Sequence, residues 1–170
     1  MKNRRSIVLI GMPGAGKSTL GVLLAKEMAL GFIDTDVLIQ SREGKTLQKI
    51  IAESDYLNLR AIEGEVLARA TLPSHVIATG GSAVYSEQGM ENLRNQGVVV
   101  FLQCSAGELH RRIHNYESRG IAKAPGQSFV ALFEERQTLY RRYAEITVDC
   151  DDMRLQEVLN QLLKLLRENA

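Results

Sequence analysis

Short apolar runs of strand length recur along the chain at Ser6–Ile10, 31–33, His75–Ala78, 98–102 and 146–148. Between them lie longer stretches in which apolar residues return every three to four positions, the period of an amphipathic helix. After Lys17, the residues Leu20, Leu23, Leu24 and Met28 follow that period, with Gly31 as the expected C-terminal stop. A second stripe follows Ser128 through Phe129, Leu132, Phe133, Leu139, Tyr140 and Tyr143, and a third runs through Leu155, Val158, Leu159, Leu162, Leu163 and Leu166. Ser105 with Glu108 three residues later is a capping-box pattern that opens a further helix. Strands rich in Val and Ile, alternating with helices and lacking polar alternation, predict an α/β fold: a parallel sheet buried on both faces with helices on either side. Segment 115–127 is polar, contains glycine and is weakly periodic, which fits a linker or a mobile lid, the latter where chemistry flanks it.

At 170 residues the chain makes one domain, 1–170. Its 21 Lys and Arg against 20 Asp and Glu give a net charge of +1, which excludes the broad basic surface that releases counterions from nucleic acid. Any anion is therefore bound locally. Cys104 and Cys150 form no CxxC and have no partner cluster, so neither a disulfide framework nor a zinc site is expected and a reducing cytoplasm fits. The basic start followed by apolar residues 7–10 has the outline of a signal peptide, yet Lys17 follows closely and the run is read as a strand. No apolar run approaches the roughly 20 residues that span a bilayer. The expectation is a cytoplasmic monomer that binds a small molecule, with neither nucleic acid nor membrane as partner.

The chemistry is concentrated after the first strand, where Gly11-Met12-Pro13-Gly14-Ala15-Gly16-Lys17-Ser18 satisfies G-x4-GK[ST] between a strand and a helix. Glycines let backbone N–H groups curl around phosphate oxygens and the new helix aims its positive end at them. Lys17, expected to be exposed, reaches the β and γ phosphates of ATP, and Ser18 is a ligand for Mg2+. The acid that often ends the third strand of such NTPases is absent, because residues 75–79 run into Gly80-Gly81. Asp34, at the end of the second strand with Asp36 two residues on, is the nearest acid for the metal; a turn and a helix cap is the competing reading of this pair. Arg136 shares the stripe of Phe129, Leu132, Phe133 and Tyr140 and so points inward, where it needs an internal carboxylate or a ligand anion. Arg60 is either a surface partner of Glu63 or a site residue. His110 and His114, four apart on one predicted helix face, have a spacing that zinc uses, but no third ligand is evident and Arg111-Arg112 lies between them.

Taken together, the phosphate loop, Asp34-Thr35-Asp36, Leu59-Arg60-Ala61-Ile62-Glu63, Ala78-Thr79-Gly80-Gly81, Arg119 and Glu135-Arg136 resemble the shikimate kinases in order and spacing over nearly the whole chain. That resemblance implies a P-loop kinase with a five-stranded sheet in the order 2-3-1-4-5, a lid at about 115–127 and an acceptor-binding helical segment at about 34–64. It implies transfer of the γ-phosphoryl group of ATP to the 3-hydroxyl of shikimate with Mg2+. Lys17, Asp36 and Arg119 would be catalytic, and Gly11, Gly14, Ala15, Gly16, Lys17, Ser18 and Thr19 would hold the nucleotide, with Arg112 over the adenine. Asp36, Arg60, Gly80, Gly81, Ser82 and Arg136 would bind the acceptor, the two arginines clamping its carboxylate, and Ser18 with Asp34 would hold the metal.

The chain also departs from the family pattern. Gly80-Gly81-Ser82 stands where the family reads three glycines, and Arg119-Gly120-Ile121-Ala122 where it reads Arg-Pro-Leu-Leu. Gln40 replaces a usual Glu, Ser54-Asp55 a usual Gly-Glu and Thr138 a usual Pro. The first two departures lie on the acceptor side. They keep open a paralogous kinase for another hydroxy carboxylic acid and, from a different class, a nucleotide-binding regulatory module.

Overall fold

A computed structural model of the chain describes residues 5–114 and 120–169. Five strands, β1 (Ser6–Ile10), β2 (Gly31–Asp34), β3 (His75–Ala78), β4 (Gly97–Gln103) and β5 (Ile146–Asp149), form one sheet in the order β2-β3-β1-β4-β5. Every pairing is parallel, with Val8 opposite both Ile77 and Val99 at the centre. The strand order reverses beside β1, so the carboxyl end of β1 opens onto the crevice where α/β sheets bind ligands. All five residues of β1 are buried, as helices on both faces require.

The helices among the described residues are α1 (Lys17–Met28), α2 (Thr35–Glu43), α3 (Leu47–Glu53), α4 (Tyr56–Arg69), α5 (Glu87–Gln96), α6 (Ala106–Arg112), α7 (Phe129–Tyr143) and α8 (Leu155–Glu168), with a 3-10 turn at Ala83–Tyr85. The expected helical segment at 34–64 is three short helices that run on to Arg69. Side-chain caps punctuate it: Thr46 Oγ1 accepts from Lys49 N at 3.2 Å, Asp55 Oδ1 from Asn58 N at 2.7 Å, and Gln40 Oε1 from Leu47 N at 3.1 Å. Two of the departures, Gln40 and Asp55, thus have structural roles of their own.

Gly31 is not the stop of α1. Ala29 takes the left-handed position at φ 52°, its N–H turned back on Ala25 and Lys26, and Gly31 already belongs to β2. There glycine answers to space, since a Cβ would meet the His75 ring at 2.5 Å. The main core lines both faces of the sheet, whereas Ile39, Ile50, Leu59 and Val66 of α2, α3 and α4 form a second, smaller core. Ala122, from the segment expected to be a lid, is keyed into that smaller core and is 3% exposed. Among the described residues no helix is long and apolar enough to cross a membrane.

Candidate active site

The loop from Gly11 to Gly16 joins β1 to α1 and turns on backbone that only glycine adopts freely. Gly16 occupies the N-cap of α1 at φ 93° with no side chain capping the first turn, so the helix presents its N–H groups to the crevice. Lys17 is buried, contrary to expectation, at 7% exposure. Its Nζ donates to the carbonyls of Gly11 at 2.7 Å and Met12 at 2.8 Å, and burial lowers its pKa to about 8. A desolvated ammonium folded back on its own loop is ready for phosphate oxygens in place of water.

Asp34 caps a helix, as one reading of its position expects, and also meets Ser18. Oδ1 caps α2 by accepting from Asp36 N at 2.9 Å and Val37 N at 3.4 Å, while Oδ2 accepts a hydrogen bond from Ser18 Oγ. A hydroxyl and a carboxylate, both hard oxygen donors, therefore meet beside the phosphate loop. Mg2+ is usually held by one or two such groups plus phosphate oxygens and water, so the donor set fits it. Among the described residues no group of three His, Cys, Asp or Glu side chains is placed to hold a metal. His110 and His114 do not share a helix face, because α6 ends at Arg112, and the His110 ring packs on Phe129 at 4.4 Å between centroids.

A cavity of about 460 Å³ opens from the loop toward α2, α4 and α7, lined among others by Lys17, Ser18, Thr19, Asp36, Gly80, Gly81, Ser82, Arg112 and Arg136. Burial, reinforced by the charge of Asp34, pushes the Asp36 carboxyl up to about 6. Two glycines give the chain its closest approach. A Cβ on Gly80 would strike the carboxylate oxygens of both Glu63 and Asp36, the latter at 2.5 Å, and one on Gly81 would meet Arg136 Nη1 at 2.7 Å.

Glu63 is the residue that the sequence reading missed. It is 2% exposed rather than a surface partner of Arg60, and its Oε2 accepts the hydroxyl of Ser82 while Oε1 has no hydrogen-bond partner. Burial and the neighbouring Asp36 raise its pKa to about 7, against the pull of the Ser82 hydrogen bond. A signal existed: Leu59, Glu63, Val66 and Leu67 all fall on the buried face of α4. Tyr85, described below, was missed as well.

Arg60 and Arg136 converge. Arg136 is 1% exposed, and its Nη2 donates to the Ala122 carbonyl at 2.8 Å; Arg60 Nη2 donates to the same oxygen at 3.0 Å from an adjoining groove. Arg136 has no ion pair among the described residues, which answers whether an internal carboxylate neutralises it. Arg112 Nε donates to Glu108 Oε1 at 2.6 Å and its Nη2 to the Cys150 carbonyl at 3.0 Å, beside a hollow that includes Gly16, Leu20, Met153 and Val158. It thus borders the nucleotide end of the cleft. Cys104 and Cys150 are both free and buried, just past the ends of β4 and β5. Arg119 and residues 115–118 of the expected lid lie outside the described residues.

The family model for shikimate kinase matches residues 13–167. The chain is 43% identical over 146 residues to the shikimate kinase of Mycobacterium avium, covering 84% of this chain and 82% of that one. To the shikimate kinase of Bacillus cytotoxicus it is 34% identical over 161 residues, covering 94% and 97%. In three dimensions it is similar to a shikimate kinase from Acinetobacter baumannii in complex with shikimate, with a TM-score of 0.86, 28% identity and coverage of 97% and 94%. A match to the family model over residues 13–167, with relatives above 30% identity over most of both chains, means that the chain belongs to the shikimate kinase family.

Proposed function

We propose that the protein transfers the γ-phosphoryl group of ATP to the 3-hydroxyl of shikimate. The observation that carries the reading is the convergence of Arg60 and Arg136 on one carbonyl oxygen, with Arg136 lining the same cavity as Lys17. Two guanidiniums aimed at a single oxygen suit a carboxylate-bearing acceptor.

The loop N–H groups and Lys17 hold the phosphates and offset charge that develops on them during transfer. Asp36 orients the acceptor hydroxyl and takes its proton, a role suited by a carboxyl raised to about 6 that remains ionised at pH 7. Gly80 and Gly81 let backbone approach the acceptor ring. Ser18 and Asp34 would hold Mg2+, which when bound neutralises phosphate charge. Arg119 would close over the phosphates; its neighbour Gly120 lines the cavity and supports this placement. Arg112 would border the adenine. Residues 115–127 would act as the lid that excludes water and so suppresses hydrolysis of ATP. One chain furnishes both sides of the cleft, so a monomer would suffice for turnover, and two buried free thiols suit the reducing cytoplasm.

A coupled assay with ATP and shikimate tests the reading. Turnover that saturates in both substrates is expected. Absence of turnover at saturating ATP and millimolar shikimate, with nucleotide binding intact, would transfer the assignment to a kinase for another hydroxy carboxylic acid or to a nucleotide-binding regulatory module.

A further inference from the structure

We propose that Tyr85 is a positioning residue of the acceptor-carboxylate clamp, fixing the direction of Arg60 and Arg136 without neutralising either. The proposal rests on the clamp role given to the two arginines above. Tyr85 closes the 3-10 turn that follows Ser82, on the same stretch of chain as Gly80 and Gly81.

The Arg60 guanidinium lies 3.6 Å from the centroid of the Tyr85 ring, and that of Arg136 lies 5.6 Å away. The ring of Tyr56, one turn before Arg60 on α4, lies 5.0 Å from the same guanidinium. Both Nε atoms are buried without a hydrogen-bond partner, so these side chains are not held by a fork of salt bridges. The nearest carboxylate oxygen paired with Arg60, Glu135 Oε1, is 4.0 Å from Nη2 and accepts the Tyr85 hydroxyl. Gln127 Nε2 donates to the other oxygen of Glu135 at 3.2 Å, so the anchor of Tyr85 is itself fixed.

The chemistry explains why a ring serves here better than an acid. A carboxylate at the same place would orient a guanidinium equally well, yet it would compete with the carboxylate of the acceptor for the same N–H groups. An aromatic face attracts a cation through its quadrupole and accepts no strong hydrogen bond. The charge and the remaining N–H groups of the arginines stay free for the ligand. Orientation settled before binding lowers the ordering cost of association.

The test is steady-state kinetics of Tyr85→Leu, Tyr85→Phe, Arg60→Lys and the double variant Tyr85→Leu/Arg60→Lys, with thermal unfolding alongside. Tyr85→Leu is expected to raise the KM for shikimate about five- to tenfold, with kcat and the KM for ATP unchanged within about twofold. Tyr85→Phe keeps the ring and is expected to shift the same KM by only about twofold. In the Arg60→Lys background the Tyr85→Leu effect should shrink to a minor part, since only the more distant Arg136 guanidinium is then left for the ring to orient. A wild-type KM for shikimate in Tyr85→Leu, or an increase that persists undiminished in that background, would overturn the proposal. So would a parallel rise in the KM for ATP. Should Tyr85→Leu fail to fold, Glu135→Gln replaces it and is expected to raise the KM for shikimate about twofold through the loosened ring; no change there counts against the proposal. If Arg60→Lys itself leaves the KM for shikimate unaltered, the clamp reading has failed first.

Discussion

Ser82 donates its hydroxyl to Glu63 Oε2 and so joins the turn after β3 to the buried face of α4. The chain's one departure from a triple glycine thus holds an acidic residue, and both side chains line the cavity. With φ at −95°, residue 82 has no need of glycine's backbone freedom.

Ser82→Ala is expected to lower stability by about 1 kcal/mol at pH 8 and by little at pH 5. The folded pKa of Glu63, about 7, stands above its ordinary 4.5, so its contribution favours the fold below pH 4.5 and is lost as pH rises through 7. The Ser82 hydrogen bond opposes that loss, and without it the folded pKa rises further. Thermal unfolding at the two pH values checks this; an equal loss at both would mean that the hydroxyl does not act on the charged form.

Lys17→Ala should reduce kcat at least about a hundredfold while the protein stays folded. A lysine at 7% exposure whose pKa is lowered by burial contributes little to stability as a cation. Circular dichroism with a single-turnover assay separates the two effects, and a folded variant with ordinary turnover would remove this loop from the chemistry.

Arg136→Leu should leave the unliganded protein as stable as before, or more so, because it replaces a buried guanidinium that has no ion pair among the described residues by a volume-filling apolar group. Acceptor binding should weaken by about 2–5 kcal/mol. Calorimetry of shikimate binding and of unfolding should therefore move apart; if the protein instead unfolds and affinity per folded molecule holds, Arg136 is structural.

Asp36, raised to about 6 by burial and by Asp34, sets an expected acid limb. As pH falls below 6 the carboxyl gains its proton and can no longer accept one from the acceptor, so kcat/KM for shikimate should fall about tenfold per pH unit. Asp36→Asn should abolish most turnover at every pH. A profile flat down to pH 5 would assign the proton elsewhere.

What was legible in the sequence follows from how local each signal is. The phosphate loop is eight consecutive residues whose backbone does the binding, and the strands at 6–10 and 75–78 are continuous apolar runs, so both could be read directly. The α5 helix was not marked, since only Gly89, Met90 and Leu93 are buried along its ten residues. Pairings across the chain carry no local trace. Ser82 with Glu63 and Arg60 with Tyr85 depend on how α4 packs beside the turn after β3, and the shared contact at Ala122 depends on where the second core traps its methyl group.

The last prediction concerns Gly120, where the family pattern puts proline. Gly120 sits at φ +63°, and even an ideal Cβ there would meet Gln48 N at 2.5 Å and the Leu47 carbonyl carbon at 2.9 Å. Proline fixes φ near −65°, so Gly120→Pro cannot keep this backbone. The residue that resembles the family best is therefore expected to suit this chain worst. Moving residue 120 off α3 withdraws Ala122 from the smaller core and its carbonyl from both guanidiniums. Global stability should change little, because the main core is untouched, but docking of this segment should weaken by roughly 1–3 kcal/mol. In kinetics that appears as a raised KM for shikimate and faster hydrolysis of ATP without acceptor, since the cleft closes less completely over the phosphates. Wild-type values for both quantities in a folded Gly120→Pro protein would show that the contact of residue 120 with α3 is dispensable for closure.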